Sequence, residues 1–308
     1  MLVISAKSGQ LGNRLLLFAN FLAFAIEYNC QVLNPAFEEY ADFFSSTAKD
    51  LFCRFPATYL TIPANKRLRK YYYKFNRYLA ESGRFNTINI QREQPFNWSN
   101  SPDLINELKT HHLNFFQGWL FRDGWFINDM TNLSKHKLAI REYFRPLKVH
   151  QVNVSHLISK IRQTTDVIIG VHIRQGDYLQ HQNGKYFYNT QAYIKVMASI
   201  LELFPAQQVT FLICSNQQQE KSDFQHLPCV FANNHIIEDM YSLAECDYII
   251  GPPSSYSMWA SFYGERPLYM IRDINKTVAM TDFVNFYQWQ GKFYPHQDWG
   301  KSYWQWTH

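Results

Sequence analysis

Several things are missing from this 308-residue chain, and each absence closes a class of function. Its five cysteines, Cys30, Cys53, Cys214, Cys229 and Cys246, are odd in number and form no CxxC pair. That usage supports neither a zinc site nor a disulfide framework, and the thiols read as reduced and buried, as in a cytosolic protein. There is no GxGxxG and no Walker lysine, so dinucleotide-binding and P-loop readings both fail. No DxD stands at the end of a strand, which removes the usual acidic metal clamp for a diphosphate. The first residues lack a basic region and a cleavage site, and the apolar run from Leu15 to Ile26 is too short to span a bilayer. The expected location is therefore the cytoplasm. The charge excess is modest: a net charge of +5 fits an anionic ligand or an acidic membrane surface but is too mild to argue for nucleic acid. Internal repeats and low-complexity segments are absent as well.

What is present is aromatic and strongly patterned. The aromatic share of 17% is rich, as expected where carbohydrate or a membrane interface is handled. The length suits two domains of about 150 residues each, large enough to bury separate cores. The most informative stretch is Asp166 to Tyr178, DVIIGVHIRQGDY. Val167, Ile168, Ile169, Val171 and Ile173 form the β-branched run of a strand covered on both faces of a parallel sheet. His172, Arg174 and Asp177 emerge at its carboxyl end, the edge where open α/β sheets bind ligands, and a guanidinium there offers a planar fork suited to phosphate. The plainer reading of an isolated HxRxxD is that Arg174 and Asp177 pair to close a loop.

Taken in order, the chain opens with a short strand, Leu2 to Ala6, a turn containing Gly9, Gly12 and Asn13, and a helix to about Tyr28. Only Asn13, Arg14, Asn20 and Glu27 of that helix are clearly polar, so it is expected in the middle of its domain. A second strand is expected at Gln31 to Asn34, and another in LNFFQGWLF after His112. Between them, Asn65 to Arg84 interleaves Lys66, Arg67, Arg69, Lys70, Lys74 and Arg77 with Tyr71, Tyr72, Tyr73, Phe75 and Tyr78. Two readings stand for it: a helix lying on an anionic membrane, or a solvated helix whose aromatic stripe packs inward while its cations face water. YFRPLK and the polar helix that follows, Asn153 to Arg162, mark the crossing between domains.

The second half alternates strand and helix. Strands are expected at 166–173, 208–214, 229–232, 248–250 and 267–271, with helices near 190–203, 236–245 and 255–263, the pattern of a parallel doubly wound sheet. Successive strand ends then carry Arg174, Ser215 with Asn216, Asn233 with Asn234, and Ser254 with Ser255, all on one edge, as in a nucleotide site. Asp239 is a weaker candidate for the nucleotide, an exposed helical carboxylate being the plainer reading. The tail, 283–308, is too aromatic for a loose end and is expected to pack back on the first domain. The domains are thus expected at 1–150, Rossmann-like, at 151–282, Rossmann-like and carrying the nucleotide edge, and in the tail 283–308.

Three motifs carry a family resemblance. HIRQGDY resembles the HxRRGDY signature of the α-1,2-fucosyltransferases of glycosyltransferase family 11; Gly9 to Ala19, GQLGNRLLLFA, is similar to that family's GGLGNQMFQYA, and Cys246 to Gly264 is similar to its CDxxIxxxSSFSWWGA element. The signature's second Arg is Gln175 here. The resemblance implies an α/β, GT-B-like fold of two Rossmann-like domains facing a cleft. It also implies an inverting, metal-independent transfer of fucose from GDP-fucose to a glycan hydroxyl, with the 2-position of galactose as candidate. The absence of the membrane anchor found in animal members suggests a bacterial-type enzyme.

Carried over by residue, Arg174 would grip the β-phosphate, and Ser254 and Ser255 would offer hydroxyls, N–H groups and the positive end of a helix dipole. Plain helix capping is the alternative for the serine pair. Gly12 and Asn13 would approach the diphosphate and the fucose, and His172, Asp177 and Ser215 would surround the nucleotide or support Arg174. Arg174 and Asn13 are the candidates for catalysis; no metal or cofactor is expected. Neighbouring side chains at a strand end point to opposite sides, so Arg174 and Gln175 cannot both face a diphosphate in the same way; if the signature's second Arg touches the donor, its loss costs a cation and donor affinity is expected to be weaker and less salt-sensitive than with two arginines. Two rivals remain: a transferase for another GDP-sugar, and a non-catalytic carbohydrate-binding or nucleotide-sugar-binding protein. The expected partners are a GDP-sugar and a glycan acceptor, with peripheral membrane contact through 65–84 and no nucleic acid.

Overall fold

A computed structural model describes residues 1–57, 62–90, 106, 108, 110–118, 130–233 and 235–286. The chain divides into two compact units that meet in sequence at Leu147 and Lys148. In the first, the elements run β1 (Leu2–Ile4), α1 (Leu11–Glu27), β2 (Val32–Leu33), β3 (Arg54–Phe55), α2 (Lys66–Glu81), β4 (Asn86–Ile90), β5 (Asn114–Gly118), α3 (Met130–Lys135) and α4 (Lys137–Tyr143). The sheet order is β3-β2-β1-β5-β4, parallel except for the β2–β3 pair. β5 ends at Gly118, and the rest of the strand expected in LNFFQGWLF lies outside the described residues.

Helix α1 is buried nearly all round, as its composition requires. Two of its polar residues find local partners: Arg14 donates to the carbonyls of Gly9 and Ala36 and pairs with Glu39 at 2.8 Å, and Asn20 Nδ2 donates to Leu16 O. Phe18 anchors the core, meeting Phe37, Tyr143 and Phe144 edge to face at 5.3–5.5 Å. Helix α2 starts at the cap Asn65, whose side chain accepts from Leu68 N. It buries Arg69, Tyr73, Asn76 and Ala80 against the unit. Tyr71, Phe75 and Tyr78 do not pack inward; they stand 69%, 58% and 66% exposed. The inward-facing aromatic stripe holds only in part: Tyr72 packs edge to face on Phe52 and Tyr73 is buried, beside a buried arginine that pairs with Asp42 and donates to the carbonyls of Thr47 and Ala48.

The second unit begins with α5 (Lys148–Arg162) and continues β6 (Val167–Ile173), α6 (Thr190–Leu201), β7 (Val209–Ser215), β8 (Cys229–Phe231), α7 (Ile236–Glu245), β9 (Tyr248–Gly251), α8 (Ser255–Gly264) and β10 (Leu268–Met270). All pairs are parallel and the order is β10-β9-β6-β7-β8. The chain winds outward from β6 through β7 to β8, then crosses back to β9 and β10. The reversal falls between β6 and β9, the topological switch point where a doubly wound sheet opens a crevice at its carboxyl edge.

Every residue of β6 is buried, which explains its β-branched run. Gly170 is required where α7 crosses it: a Cβ there would come within 2.6 Å of Leu243 Cδ2 and 3.0 Å of Cys246 Sγ. The start of the tail packs on this unit, with Val284 bridging Leu268, Phe283 against Tyr248 and Tyr269, and Phe286 against Phe262. The remainder of the tail, with Trp289, Trp299, Trp304 and Trp306, lies outside the described residues. Among the described residues no helix is long and apolar enough to cross a membrane.

Candidate donor site at the sheet switch point

The carboxyl ends of β6 and β9 bring His172, Arg174, Asp177 and Ser254 together. Arg174 leaves the sheet just past Ile173 and meets Asp177 in a two-pronged pair, Nε to Oδ1 at 3.0 Å and Nη2 to Oδ2 at 2.6 Å. Its guanidinium lies 5.1 Å from the centroid of the Tyr178 ring. Burial disfavours the Arg174 charge, but hydrogen bonding to Asp177 more than offsets it and the pKa is raised. Burial likewise works against the Asp177 carboxylate, and the same pair outweighs it and holds its pKa below the usual value. Asp177 also accepts from Asn216 Nδ2 at 3.4 Å, and Asn216 Oδ1 accepts from Gln175 N. Loop closure and presentation of a cation are therefore one arrangement: the carboxylate fixes the fork on the sheet edge.

His172 is 4% exposed, with its ring centroid 4.9 Å from that of Tyr256 and Nδ1 at 3.4 Å from Ser257 Oγ. Burial, reinforced by the Arg174 charge, pushes its pKa down to about 3, so the imidazole is neutral at physiological pH. Ser254 is the N-cap of α8, its hydroxyl accepting from Tyr256 N at 3.2 Å, as the capping reading expects. Ser255 follows at the first helical position, half-exposed. The N-terminal end of this ten-residue helix, with no acidic residue in its first turn, thus borders the same edge as Arg174. Tyr178, from the loop after β6, ties the two together by donating its hydroxyl to Pro253 O.

Asp239 is the correction at this edge. It is not an exposed helical carboxylate but 4% exposed, in the first turn of α7, with Oδ1 accepting from His235 N. Burial pushes its pKa up to about 7. Its charge, with burial, raises the pKa of Tyr256, whose ring lies tilted against that of His172. Ser215, at the end of β7, is occupied locally, accepting from Gln217 N and Gln219 Nε2. Gln175 belongs to the same network: it donates to Tyr188 O at 3.1 Å and accepts from Gln219 at 2.9 Å. Its side chain therefore serves the loop after β7, while Arg174 faces Asp177. Asn233 is exposed, and Asn234 lies outside the described residues.

Gly12 and Asn13 belong to the first unit, in the first turn of α1. Gly9 has φ +57°, the left-handed region, and Asn13 folds over it so closely that a Cβ at Gly9 would sit 2.0 Å from Asn13 Nδ2. Among the described residues, Asn13 Oδ1 and Ser8 Oγ are buried without a hydrogen-bond partner, which is costly unless something polar meets them. The nearby cations are already spoken for: Lys7 pairs with Glu38 and Glu39, and Arg14 with Glu39. This turn offers neutral hydrogen-bonding groups, as suits a sugar more than a phosphate.

One group among the described residues has metal-like spacing, His150, His235 and Glu238, with ligand atoms within 4.8 Å of one another. Its members already serve each other. His235 Nδ1 caps α7 by accepting from Ile237 N and Glu238 N, and Glu238 Oε1 lies at 2.9 Å from His150 Nδ1 and accepts from Asn153. The cap occupies Nδ1 of His235, which leaves Nε2 as its ring atom for any cation.

Comparison with solved structures places the chain among proteins of the same architecture. A mutant of Arabidopsis thaliana FUT1 in complex with GDP superimposes with a TM-score of 0.56 at 13% identity, covering 92% of this chain and 73% of that one. Fucosyltransferase NodZ from Bradyrhizobium gives 0.53 at 16% identity, covering 88% and 94%. POFUT1 in complex with GDP gives 0.51 at 9% identity, covering 86% and 94%. At such identities the likeness carries the fold, which is α/β and GT-B-like with Rossmann-like units. No curated protein matches the sequence. Glycosyl transferase family 11, however, matches residues 85–292, more than half of the chain and all of the switch-point site. The chain belongs to that family and is a glycosyltransferase.

Proposed function

We propose that this enzyme transfers fucose from GDP-fucose to a glycan hydroxyl, inverting the anomeric centre and using protein groups in place of a metal to carry the diphosphate charge. The observation that carries the reading is the Arg174–Asp177 pair beside the N-terminus of α8 at the switch point. As the anomeric bond breaks, negative charge grows on the leaving diphosphate, and donors already fixed in place stabilise it without reorganisation. Arg174 supplies the planar cation, and Ser254, Ser255 and the helix dipole supply N–H groups and hydroxyls. Asp177 positions the guanidinium. Neutral His172, tilted against Tyr256, and buried Asp239 flank the nucleoside. On the first unit, the unpartnered Asn13 oxygen offers an acceptor to a sugar hydroxyl. Fucose as the sugar is supported by the family and by the NodZ structure soaked with GDP-fucose, a protein of the same fold. The HxRxGDY resemblance supports the 2-position of galactose as the acceptor hydroxyl.

The test is release of GDP from a panel of GDP-sugars, with and without galactose-terminated acceptors and in excess chelator. GDP-fucose should turn over fastest, with acceptor, chelator notwithstanding, and the product should carry an α-1,2 bond. Preference for another GDP-sugar would transfer the reading to that sugar. Loss of turnover in chelator with recovery on adding manganese would overturn the metal-free clamp. Donor binding without turnover on any acceptor would favour a non-catalytic role.

A further inference from the structure

Helix α2 has two sides of different kind. Arg69, Tyr73, Asn76 and Ala80 face the unit. On the opposite side Leu68, Tyr71, Phe75 and Tyr78, spaced at three, four and three residues, make one continuous stripe, 42–69% exposed. Lys66, Arg67, Lys70, Lys74 and Arg77 are all exposed too, and at 100° per residue they fall together along one flank of that stripe. The only acid of the helix is Glu81, in its last turn, paired with Arg77. Exposed aromatics of this size, adjacent on one helix face, are unusual on a surface that meets only water.

The charge is as localised as the aromatics. The chain has 30 Lys and Arg against 25 Asp and Glu; six of the former and one of the latter lie in α2, so the remaining 24 of each cancel. The entire formal excess of +5 therefore resides in sixteen residues. A convex helix carrying apolar rings in a row and cations beside them matches the boundary of an anionic bilayer, where rings sink between headgroups and cations meet lipid phosphates. Single-stranded nucleic acid would be met by aromatics lying within a cationic groove, and this convex stripe is not one.

We propose that the outer face of α2 is a membrane-docking surface selective for anionic lipid. The test is flotation of the intact enzyme with vesicles of phosphatidylcholine alone and of phosphatidylcholine with phosphatidylglycerol. Wild type should float with the anionic vesicles only. Lys70→Glu with Lys74→Glu should lower the partition by at least about tenfold, since each cation near such a surface contributes roughly fivefold. Tyr71→Ser, Phe75→Ser and Tyr78→Ser together should also lower the partition on anionic vesicles by at least about tenfold, because no rings then sink between the headgroups. All five positions are exposed, so the thermal midpoint and GDP affinity of both variants should match wild type. Four outcomes would overturn the proposal: no flotation of wild type, equal flotation with neutral vesicles, a wild-type dimer that the serine variant turns into a monomer without loss of vesicle binding, or single-stranded RNA bound more tightly than the vesicles.

Discussion

Arg174 is a charge held in readiness by a second charge. Removing it in Arg174→Ala costs charge-assisted bonds to the donor worth about 1.5–3 kcal/mol each, and turnover should fall about a hundredfold or more while the fold persists. Arg174→Lys should also be poor, because an ammonium reproduces neither the two-pronged pair with Asp177 nor a flat grip on phosphate. Steady-state kinetics beside circular dichroism checks both. Gln175→Arg should leave GDP affinity within about twofold of wild type by calorimetry, since the side chain at 175 points to Tyr188 and Gln219, and the loss of one hydrogen bond there should lower stability by about 1 kcal/mol. The sequence placed these two residues on opposite sides of the strand end, and alternation alone sufficed for that. It did not reveal what receives Gln175, because Gln219 lies 44 residues away and joins only through the sheet.

His172 and Asp239 make a pair of opposed pH dependences. Native His172 titrates at about 3 against 6.5 for the unfolded residue, so between those values the unfolded chain binds one proton more and stability rises with pH. Native Asp239 titrates at about 7 against 3.8, so there the native state binds one more and stability falls as pH rises. Each slope is about 1.4 kcal/mol per pH unit, and from roughly pH 4 to 6.5 they cancel. Denaturation midpoints in that window should therefore climb with pH more steeply in Asp239→Asn than in wild type, and less steeply in His172→Gln, the lowered His181 adding the same rise to all three. None of this was legible from one sequence: burial of a helical Asp depends on what crosses it, and nothing in IIEDMYSLAE announces Tyr256.

At the scale of elements, the second unit was the readable one. β6, β7 and β9 are short β-branched runs bounded by polar ends, and the alternation with α6, α7 and α8 leaves little choice of topology. In the first unit β3 is two residues long and β4 is NTINI, with only Ile88 and Ile90 apolar and no apolar run, so neither stood out. α5 begins at Lys148, five residues before its expected start, because Pro146 ends the preceding segment and the polar turn that follows shows no helical period. The crossing of α7 over β6 supplies a direct test. Gly170→Ala would drive a methyl into Leu243 and Cys246, both 0% exposed and unable to yield, and should cost about 1–3 kcal/mol in urea denaturation. Leu243→Ala should restore part of that loss when combined with it, because the same space is vacated.

For the molecule as a whole, the two α/β units and the donor edge were expected from motif order, whereas the exposed face of α2 emerged only once its buried side was known. Confining the net charge to one helix has a kinetic consequence. A body whose formal charge sums to zero outside one helix experiences a torque near an anionic surface, and within about 10 Å at 0.1 M salt that torque turns the helix forward before contact. The rate of arrival on anionic vesicles should therefore drop steeply with salt, while the rate of departure, governed by how deeply Tyr71, Phe75 and Tyr78 are seated, should hardly change. Stopped-flow mixing at several ionic strengths separates the two rates, and a departure rate that rises with salt as steeply as arrival falls would mean that the rings do not enter the bilayer. Long-range attraction then serves to aim the enzyme, and short-range burial sets how long it stays.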